Sequence, residues 1–214
     1  MRNIPMFATE YGIGNLLLKN VPYSGRAYIQ ILSSENPLLF LRECYNFCCS
    51  AGAAAVYATG HPALKQFPLH TEILYMSGSR SMMPEAKALL QPMTEETMEL
   101  WRELYNRRMQ GVSAADYMTT KDTQRCLDDG NCYFVYADAE LLGLGMASQD
   151  HVDAVVGLKP GAGVDVLSSL CGILEGDHVS LKVASTNSQA LGLYRRLGFV
   201  LDYVAEQWYE VTKF

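Results

Sequence analysis

A strand that runs directly into a glycine-terminated amphipathic helix constrains the fold more than any other feature of this sequence. Residues 179–183 alternate between apolar and polar side chains, which is the period of a half-buried strand. Asn187 follows at a position suited to cap a helix over residues 188–197, and Gly198 supplies the helix stop. One face of that helix is apolar and consists of Ala190, Leu191, Tyr194 and Leu197. We therefore expect this strand–helix unit to pack Tyr194 against a sheet.

Asn187 and Tyr194 each have two interpretations on the sequence alone. Asn187 either caps the helix and does nothing else, or its amide also hydrogen-bonds a ligand that enters from the sheet. Tyr194 either packs as a core residue, or its hydroxyl, which needs a partner when it is buried, acts at a site.

The periodicity of residues on both sides of this unit predicts a mixed α/β domain. A short apolar strand at 87–93 comes first, and a helix over 94–109 follows with Thr94 as its cap. The remaining predicted elements are helix 120–127, strands 132–137, 141–147 and 152–156, helix 163–174, strand 179–183, helix 188–197, and strands 199–206 and 208–213. The fold class is therefore α/β, with a mixed, mostly antiparallel sheet flanked by helices and an N-terminal α/β extension.

Residues 1–83 form a separate N-terminal α/β segment in this interpretation. The small polar run 77–81 is typical of a linker, which predicts two domains, 1–83 and 84–214. Within the segment, a strand at 26–32 is followed by Asn36 and a helix, which repeats the order seen near the C-terminus. The segment is either a degenerate half of the same fold as residues 84–214 or an unrelated α/β extension.

Composition disfavours several classes of partner. The chain carries 23 acidic and 17 basic residues, a net charge of −6, so it gains nothing from neutralising phosphates and no nucleic-acid partner is expected. Its apolar runs are far shorter than the ~20 residues of a membrane span, and the first residues lack a signal-peptide pattern, so we expect a cytoplasmic protein that is not bound to membranes. The six cysteines form no CxxC pair, so we expect small buried hydrophobes and no metal.

The run 183–199 resembles the signature of the GNAT (GCN5-related N-acetyltransferase) superfamily. It reads VASTNSQALGLYRRLGF, with Asn187, the pair Leu193–Tyr194 and the pair Gly198–Phe199 at the spacing of the family. The order of elements over residues 86–214 also matches the family fold, so the resemblance covers the last ~130 residues.

The resemblance implies acetyl-CoA as a co-substrate, no metal, and a set of site residues. In the family, the residue that matches Tyr194 lies beside the acyl-CoA sulfur and can protonate the departing thiolate, and the residue that matches Asn187 contacts the pantetheine arm. The backbone at Val155 and Val156 is expected to polarise the acetyl carbonyl. The pyrophosphate is expected on a loop and helix start made of Gly161, Ala162, Gly163 and Val164.

Two positions of that loop depart from the family pattern. Pro160 stands where the family has a basic residue and removes a backbone donor. Asp165 puts a negative charge in the first helical turn, where the phosphates would lie. Lys159 is the neighbouring basic residue that could compensate. Three outcomes stay open: the loop binds acetyl-CoA weakly, binds it in another way, or does not bind it.

The function implied by the resemblance is transfer of an acetyl group from acetyl-CoA to a primary amine of a small molecule or peptide. The alternative is a catalytically inactive member of the fold that senses a ligand or binds a protein. A homodimer is compatible with both functions. His151 and Asp153 are the candidates for a general base, with a surface-turn role as the alternative for His151. The structural feature that the enzyme reading requires is an opening between strands 152–156 and 179–183.

Overall fold

The computed structural model describes residues 6–212 of the chain. Packing divides the chain into two compact units: the first contains the residues up to Ile73 together with those from Ala205 onward, and the second is Leu74–Val204. The sequence predicted two domains with a boundary at residues 83/84. The division into compact units does not test that boundary, which stays a prediction. Within residues 6–212, no helix is long and apolar enough to cross a membrane.

The regular structure of residues 6–212 consists of eleven strands, six helices and two short 3₁₀ turns. The strands are β1 Met6–Thr9, β2 Gly12–Leu17, β3 Arg26–Ser34, β4 Ala55–Thr59, β5 Leu69–Ser79, β6 Leu89–Pro92, β7 Cys132–Ala137, β8 Glu140–Ser148, β9 His151–Gly157, β10 His178–Ala184 and β11 Val200–Glu210. The helices are α1 Val21–Ser24, α2 Pro37–Ser50, α3 Met98–Met109, α4 Thr120–Asp129, α5 Gly163–Gly172 and α6 Ser188–Arg196. The 3₁₀ turns are Pro62–Gln66 and Arg80–Met82. β5 and β11 each contribute residues to both units.

The second unit is a mixed sheet between two layers of helices. Its strands lie in the order β11, β5, β10, β9, β8, β7, β6. β6 to β9 pair antiparallel, whereas β9 and β10 are parallel. α3 and α4 cover one face through a cluster that includes Trp101 and Phe134, and α5 and α6 cover the other through a cluster that includes Leu167 and Leu181. The expected fold class, a mixed and mostly antiparallel sheet flanked by helices, is confirmed.

A bulge at Asp153 decides which side chains of β9 face which layer of helices. In the ladder between β8 and β9, Ala147 pairs with Val152 and Met146 pairs with Ala154, so Asp153 is an extra residue. Val152 therefore packs in the cluster under α5 and α6, whereas Ala154 packs in the cluster under α3 and α4. Without the extra residue these two side chains would share one face, because side chains of a strand alternate.

Two glycines of β8 allow α5 to lie directly on the sheet. A Cβ on Gly143 would come within 2.6 Å of the Val166 side chain, and a Cβ on Gly145 within 2.3 Å of Leu170. Both separations are well below the ~3.5–4.0 Å at which carbon atoms rest. A side chain at either position would push α5 off the sheet, so these glycines set the position of the α5 N-terminus beside β9.

The first unit has the strand order β1, β2, β3, β4, β11, with α2 packed on one face. β3 and β4 are parallel and pair over five consecutive residues, starting at Arg26 and Ala55. Asn36 caps α2, because its side chain accepts a hydrogen bond from the Leu39 N–H (3.5 Å). The expected order of strand, asparagine and helix is therefore present, while descent from a degenerate half of the same fold stays a prediction.

The cysteines are mostly buried among apolar side chains, as composition indicated. Cys49 is exposed, and the other five, Cys44, Cys48, Cys126, Cys132 and Cys171, are buried. Burial raises the pKa of both the Cys44 and Cys48 thiols to about 12. These two side chains behave as small hydrophobes in the core of the first unit.

Two elements near the ends of the second unit differ from the prediction. The run 77–81 is not a linker: it is the end of β5 and a 3₁₀ turn, in which Ser79 and Ser81 hydrogen-bond to Asp177. The two expected closing strands are one continuous strand, β11. Gln207, the residue between the two predicted strands, holds an ordinary strand position and donates a hydrogen bond to Glu72 (2.9 Å).

With Thr94 as its cap, the predicted helix would begin at residue 95, but α3 begins at Met98, three residues later, and Thr94 is not its cap. The Thr94 N–H donates to the Thr97 hydroxyl (2.9 Å), which closes a turn over Glu95 and Glu96 before α3 starts at Met98. A local bond between a hydroxyl and the backbone competes with helix formation, which explains the late start.

Candidate active site

β9 and β10 separate at their carboxyl ends. The two parallel strands pair only at their first residues, His151 with Ser180 and Val152 with Leu181. From Asp153 onward, β9 has no partner on β10. The opening that the sequence predicted between these strands is therefore present. In open α/β sheets, ligands bind outside the carboxyl ends of the strands at such a break.

The backbone of Val155 faces this opening. The Leu158 N–H donates to the Leu142 carbonyl (2.9 Å), so the backbone N–H and C=O of Leu158 point toward β8. The Gly157 carbonyl instead points away from β8 and accepts from Arg108 Nε (3.0 Å). Because strand residues alternate between the two neighbouring ladders, the N–H and C=O of Val155 point the same way as those of Gly157. Val155 thus offers a backbone donor inside the opening.

Val156 has the opposite orientation. It pairs with Leu144 of β8, and its side chain is 2% exposed in the cluster under α3 and α4. Its backbone groups are used in the β8 ladder rather than in the opening. Of the two residues whose backbone was expected to polarise the acetyl carbonyl, only Val155 has its N–H directed into the opening. The role stays a prediction for both residues.

The expected phosphate loop leads into an open helix N-terminus. Gly161 has a positive φ of 82°, and α5 begins at Gly163 after Ala162, which makes no side-chain cap. A Cβ on Gly163 would lie 2.9 Å from the Leu193 side chain of α6, so a larger residue here would require that side chain to move. The first N–H groups of α5, including that of Val164, have no partner within the helix and carry its positive partial charge.

The charges around this loop are arranged differently from the expectation. Lys159 does not replace the missing basic residue, because its ammonium pairs with the Glu140 carboxylate. Arg108 of α3 lies at the beginning of the loop instead, where both its Nε and its Nη2 donate to the Gly157 carbonyl. Asp165 is in the first turn of α5, as predicted. Two charged residues therefore lie at this loop: Arg108, a cation that sequence spacing did not reveal, and the anion Asp165.

The Tyr194 side chain is buried in the core of the second unit. Its side chain is 7% exposed and packs against Phe199, with ring centroids 5.8 Å apart. Within residues 6–212, no group hydrogen-bonds to its hydroxyl. Burial, together with the nearby Cys171 thiol, raises the pKa of Tyr194 to about 12. The hydroxyl therefore keeps its proton at neutral pH, and a role as proton donor to the thiolate stays a prediction.

Asn187 caps α6, which both of its interpretations require. Its Oδ1 accepts a hydrogen bond from the Ala190 N–H (3.2 Å). Its side chain is only partly buried, and a contact between its amide and a cofactor stays a prediction. Cys171, by contrast, is 0% exposed and lies in the core, as expected.

His151 is part of a hydrogen-bonded group and not a surface-turn residue. Its Nδ1 lies 2.8 Å from the Ser180 hydroxyl, which itself donates to the Asp150 carbonyl (3.3 Å). Since that hydroxyl has only one proton, it accepts from Nδ1–H, and Nε2 of the neutral ring is left as a proton acceptor. Nε2 faces Asp153, 3.9 Å from its Oδ1. Both base candidates are thus brought together where β9 and β10 begin to separate.

Metal ligation has no support in the side-chain arrangement. Within the described residues, no group of three or more His, Cys, Asp or Glu side chains could hold a metal ion.

The sequence matches no protein-family model, and no curated protein is similar to it in sequence. Solved structures are similar in fold. A GCN5-related N-acetyltransferase from Sphaerobacter thermophilus has a TM-score of 0.57 and 13% identity, with 94% of this chain and 77% of that chain covered. A functionally unknown conserved protein from Staphylococcus epidermidis has a TM-score of 0.59 and 10% identity, with 98% and 94% covered. A tandem GNAT protein from the clavulanic acid biosynthesis pathway has a TM-score of 0.53 and 13% identity, with 94% and 78% covered.

These similarities establish the architecture. The chain has the fold of the GCN5-related N-acetyltransferases, in agreement with the motif at residues 183–199. At such low identity the similarity concerns the fold alone, so the activity has to be argued from the site.

Proposed function

We propose that this protein transfers an acetyl group from acetyl-CoA to a primary amine. The observation that carries the proposal is the separation of β9 and β10 with the Val155 N–H inside the opening. A backbone donor at this place can stabilise the negative charge that develops on a thioester carbonyl oxygen during attack. The other parallel pair, β3 and β4, is paired over five consecutive residues and therefore leaves no such donor free.

The residues around the opening divide the chemistry between them. Val155 N–H donates to the acetyl carbonyl oxygen, and His151 Nε2 takes a proton from the bound ammonium, which leaves a neutral amine that attacks the carbonyl carbon. The new C–N bond forms as the C–S bond breaks, and Tyr194 gives its proton to the departing thiolate sulfur. The amine and the thioester react directly within one complex, so no covalent enzyme intermediate is needed and proximity supplies much of the rate.

The loop residues fit a CoA pyrophosphate in part. Gly161 and Gly163 permit close approach to the open N–H groups of α5, and Arg108 adds a positive charge at the entrance. Pro160 and Asp165 act against binding, because the first lacks an N–H and the second is an anion. We infer that acetyl-CoA binds with moderate affinity, its phosphates held by α5 and Arg108.

A Tyr194→Phe variant tests the proposal. The change keeps the ring and its packing and removes only the proton donor, so we expect turnover to fall about 10²-fold. Acetyl-CoA affinity should stay unchanged, because the thiolate charge exists only in the transition state. Tyr105→Phe is the matched control, since Tyr105 is equally buried (8% exposed) in the cluster under α3 and α4. Wild-type turnover in Tyr194→Phe would exclude Tyr194 from the mechanism.

A ligand-sensing protein without activity is the second candidate function. Pro160 and Asp165 favour it, because both weaken the site for phosphate relative to the family pattern. Folded protein that neither binds acetyl-CoA nor transfers its acetyl group to a primary amine would support this candidate over the enzyme.

A further inference from the structure

Three rings form a row on one face of the sheet in the second unit. The rings of Tyr203 and Tyr75 are nearly parallel (11°) with centroids 4.9 Å apart. The next ring, that of His151, is 6.1 Å from Tyr75 and inclined by 22°. We call Tyr203, Tyr75 and His151 the aromatic row; it runs from β11 over β5 to β9. The row ends at the strand whose carboxyl end opens.

The aromatic row lies on the face opposite the core under α5 and α6. Leu74 and Met76, the neighbours of Tyr75 on β5, are both buried in that core. Because side chains alternate along a strand, Tyr75 points to the other face. Tyr203 stays 54% exposed there. The edges of these two stacked tyrosines, one half-buried and one exposed, form an amphipathic surface on which an aromatic ring can pack edge-to-face at low entropic cost.

The inner end of the aromatic row carries a carboxylate. Asp153 Oδ1 lies 3.9 Å from His151 Nε2, and the Asp153 side chain is 43% exposed. The bulge at Asp153 places this carboxylate where β9 leaves β10. A cation that rests on the row is therefore attracted toward the opening, where the Val155 N–H lies.

Lys182 limits the number of positive charges that a ligand of the aromatic row can carry. Val179, Leu181 and Val183 of β10 are buried in the core under α5 and α6. By alternation, Lys182 points to the face of the aromatic row, and it is exposed. A ligand with a second ammonium group would be repelled by Lys182, so the surface suits a single positive charge.

We propose that the aromatic row binds the acceptor and selects a monoamine that carries an aromatic ring. The ring packs edge-to-face against the edges of Tyr75 and Tyr203, and the ammonium pairs with Asp153 before His151 takes its proton. This inference rests on the proposed function and names the substrate class of the same site. It excludes polyamines and purely aliphatic amines as preferred acceptors.

Two amines of equal size and charge provide the test. 2-Phenylethylamine and 2-cyclohexylethylamine have the same number of heavy atoms and the same charge but differ in the aromaticity and planarity of the ring, and calorimetric titration of each into the full chain, without cofactor, measures the preference for a flat aromatic ring. We expect the aromatic amine to bind about threefold to tenfold more tightly, since ring pairs contribute ~0.5–1.5 kcal/mol beyond their buried area. Asp153→Asn should weaken both amines about tenfold, because it removes the partner of the ammonium.

Tyr75→Leu should abolish the difference between the two amines. Tyr23→Leu is the control for the chemical change itself, because Tyr23 is an exposed tyrosine (47%) on α1 in the first unit. Equal affinity of wild-type protein for the two amines, or a difference that survives Tyr75→Leu, overturns the proposal.

A parallel titration with acetyl-CoA separates this proposal from the proposed function. If acetyl-CoA binds while neither amine binds at millimolar concentration, the aromatic row is not the acceptor site and the enzyme reading stands. If the aromatic amine binds selectively while acetyl-CoA does not bind, the aromatic row is a ligand site and the transferase function fails.

Discussion

Arg108 Nε lies 3.0 Å from the Gly157 carbonyl oxygen, which fixes a guanidinium at the carboxyl end of β9. This contact joins the last turn of α3 to the start of the loop before α5. It supplies a positive charge beside Pro160, the position where the family resemblance implies a basic residue. The Nη1 group of Arg108 is not used in the contact with Gly157 and can bind a phosphate oxygen.

Arg108→Ala is expected to weaken acetyl-CoA binding about tenfold, the loss that one partly exposed charge-assisted hydrogen bond causes. Acetyl-pantetheine lacks the pyrophosphate, so its affinity should not change. Calorimetric titration with both compounds measures the effect, and Arg107→Ala, an exposed neighbour in the same helical turn, is the control. An equal loss for both compounds would show that Arg108 shapes the opening and does not contact phosphate.

Asp165→Asn is expected to tighten acetyl-CoA binding and to lower stability slightly. Two anions at ~4 Å repel by about 1 kcal/mol in water, which corresponds to about fivefold in affinity. Removing a carboxylate from the first turn of α5 loses about 0.3–1 kcal/mol of its interaction with the helix dipole. Titration and thermal melting measure the two effects, with Asp128→Asn of α4 as a control for loss of charge. Weaker binding in Asp165→Asn would contradict this orientation of the phosphates.

Asn187 can be separated into a cap and a ligand contact by two substitutions. Serine caps helices as well as asparagine does, whereas alanine does not cap, so Asn187→Ala should lose about 1 kcal/mol of stability and Asn187→Ser should melt like the wild type. If the amide contacts the pantetheine arm, both variants lose a similar factor in acetyl-CoA affinity, about threefold to tenfold. Wild-type affinity in Asn187→Ser would leave Asn187 as a helix cap alone.

The buried Tyr194 hydroxyl predicts a specific loss of stability at alkaline pH. Its folded-state pKa, about 12, exceeds the ordinary value of 10.0. Stability is therefore complete below pH 10 and falls as pH rises through 12, because the unfolded chain ionises first. The loss approaches about 2–3 kcal/mol. Melting curves from pH 9 to 12 should fall more steeply for the wild type than for Tyr194→Phe, and parallel curves would contradict the raised pKa of Tyr194.

The sequence predicted those parts of the site that depend only on residues close together in the chain. The strand, the Asn187 cap and the helical face with Tyr194 all follow from residues within one or two turns of each other. The opening between β9 and β10 was also expected, on the strength of the family resemblance of this segment. Such features need no knowledge of distant contacts.

Contacts between distant parts of the chain could not be predicted in the same way. Arg108 and Gly157 are 49 residues apart, and no periodicity links them. The pairing of Lys159 with Glu140 depends on a hairpin that carries both residues to one side of the sheet. The bulge at Asp153 gives no signal in composition, yet it decides the side-chain faces of β9. Only the assembled sheet reveals these relationships.

Titration of the purified chain with acetyl-CoA tests the central claim most directly. The open N–H groups of α5, the Val155 donor and Arg108 together predict saturable binding at one site, with a rise in melting temperature that grows with acetyl-CoA concentration. Folded protein that gives neither heat nor a shift in melting temperature at millimolar acetyl-CoA would contradict the account.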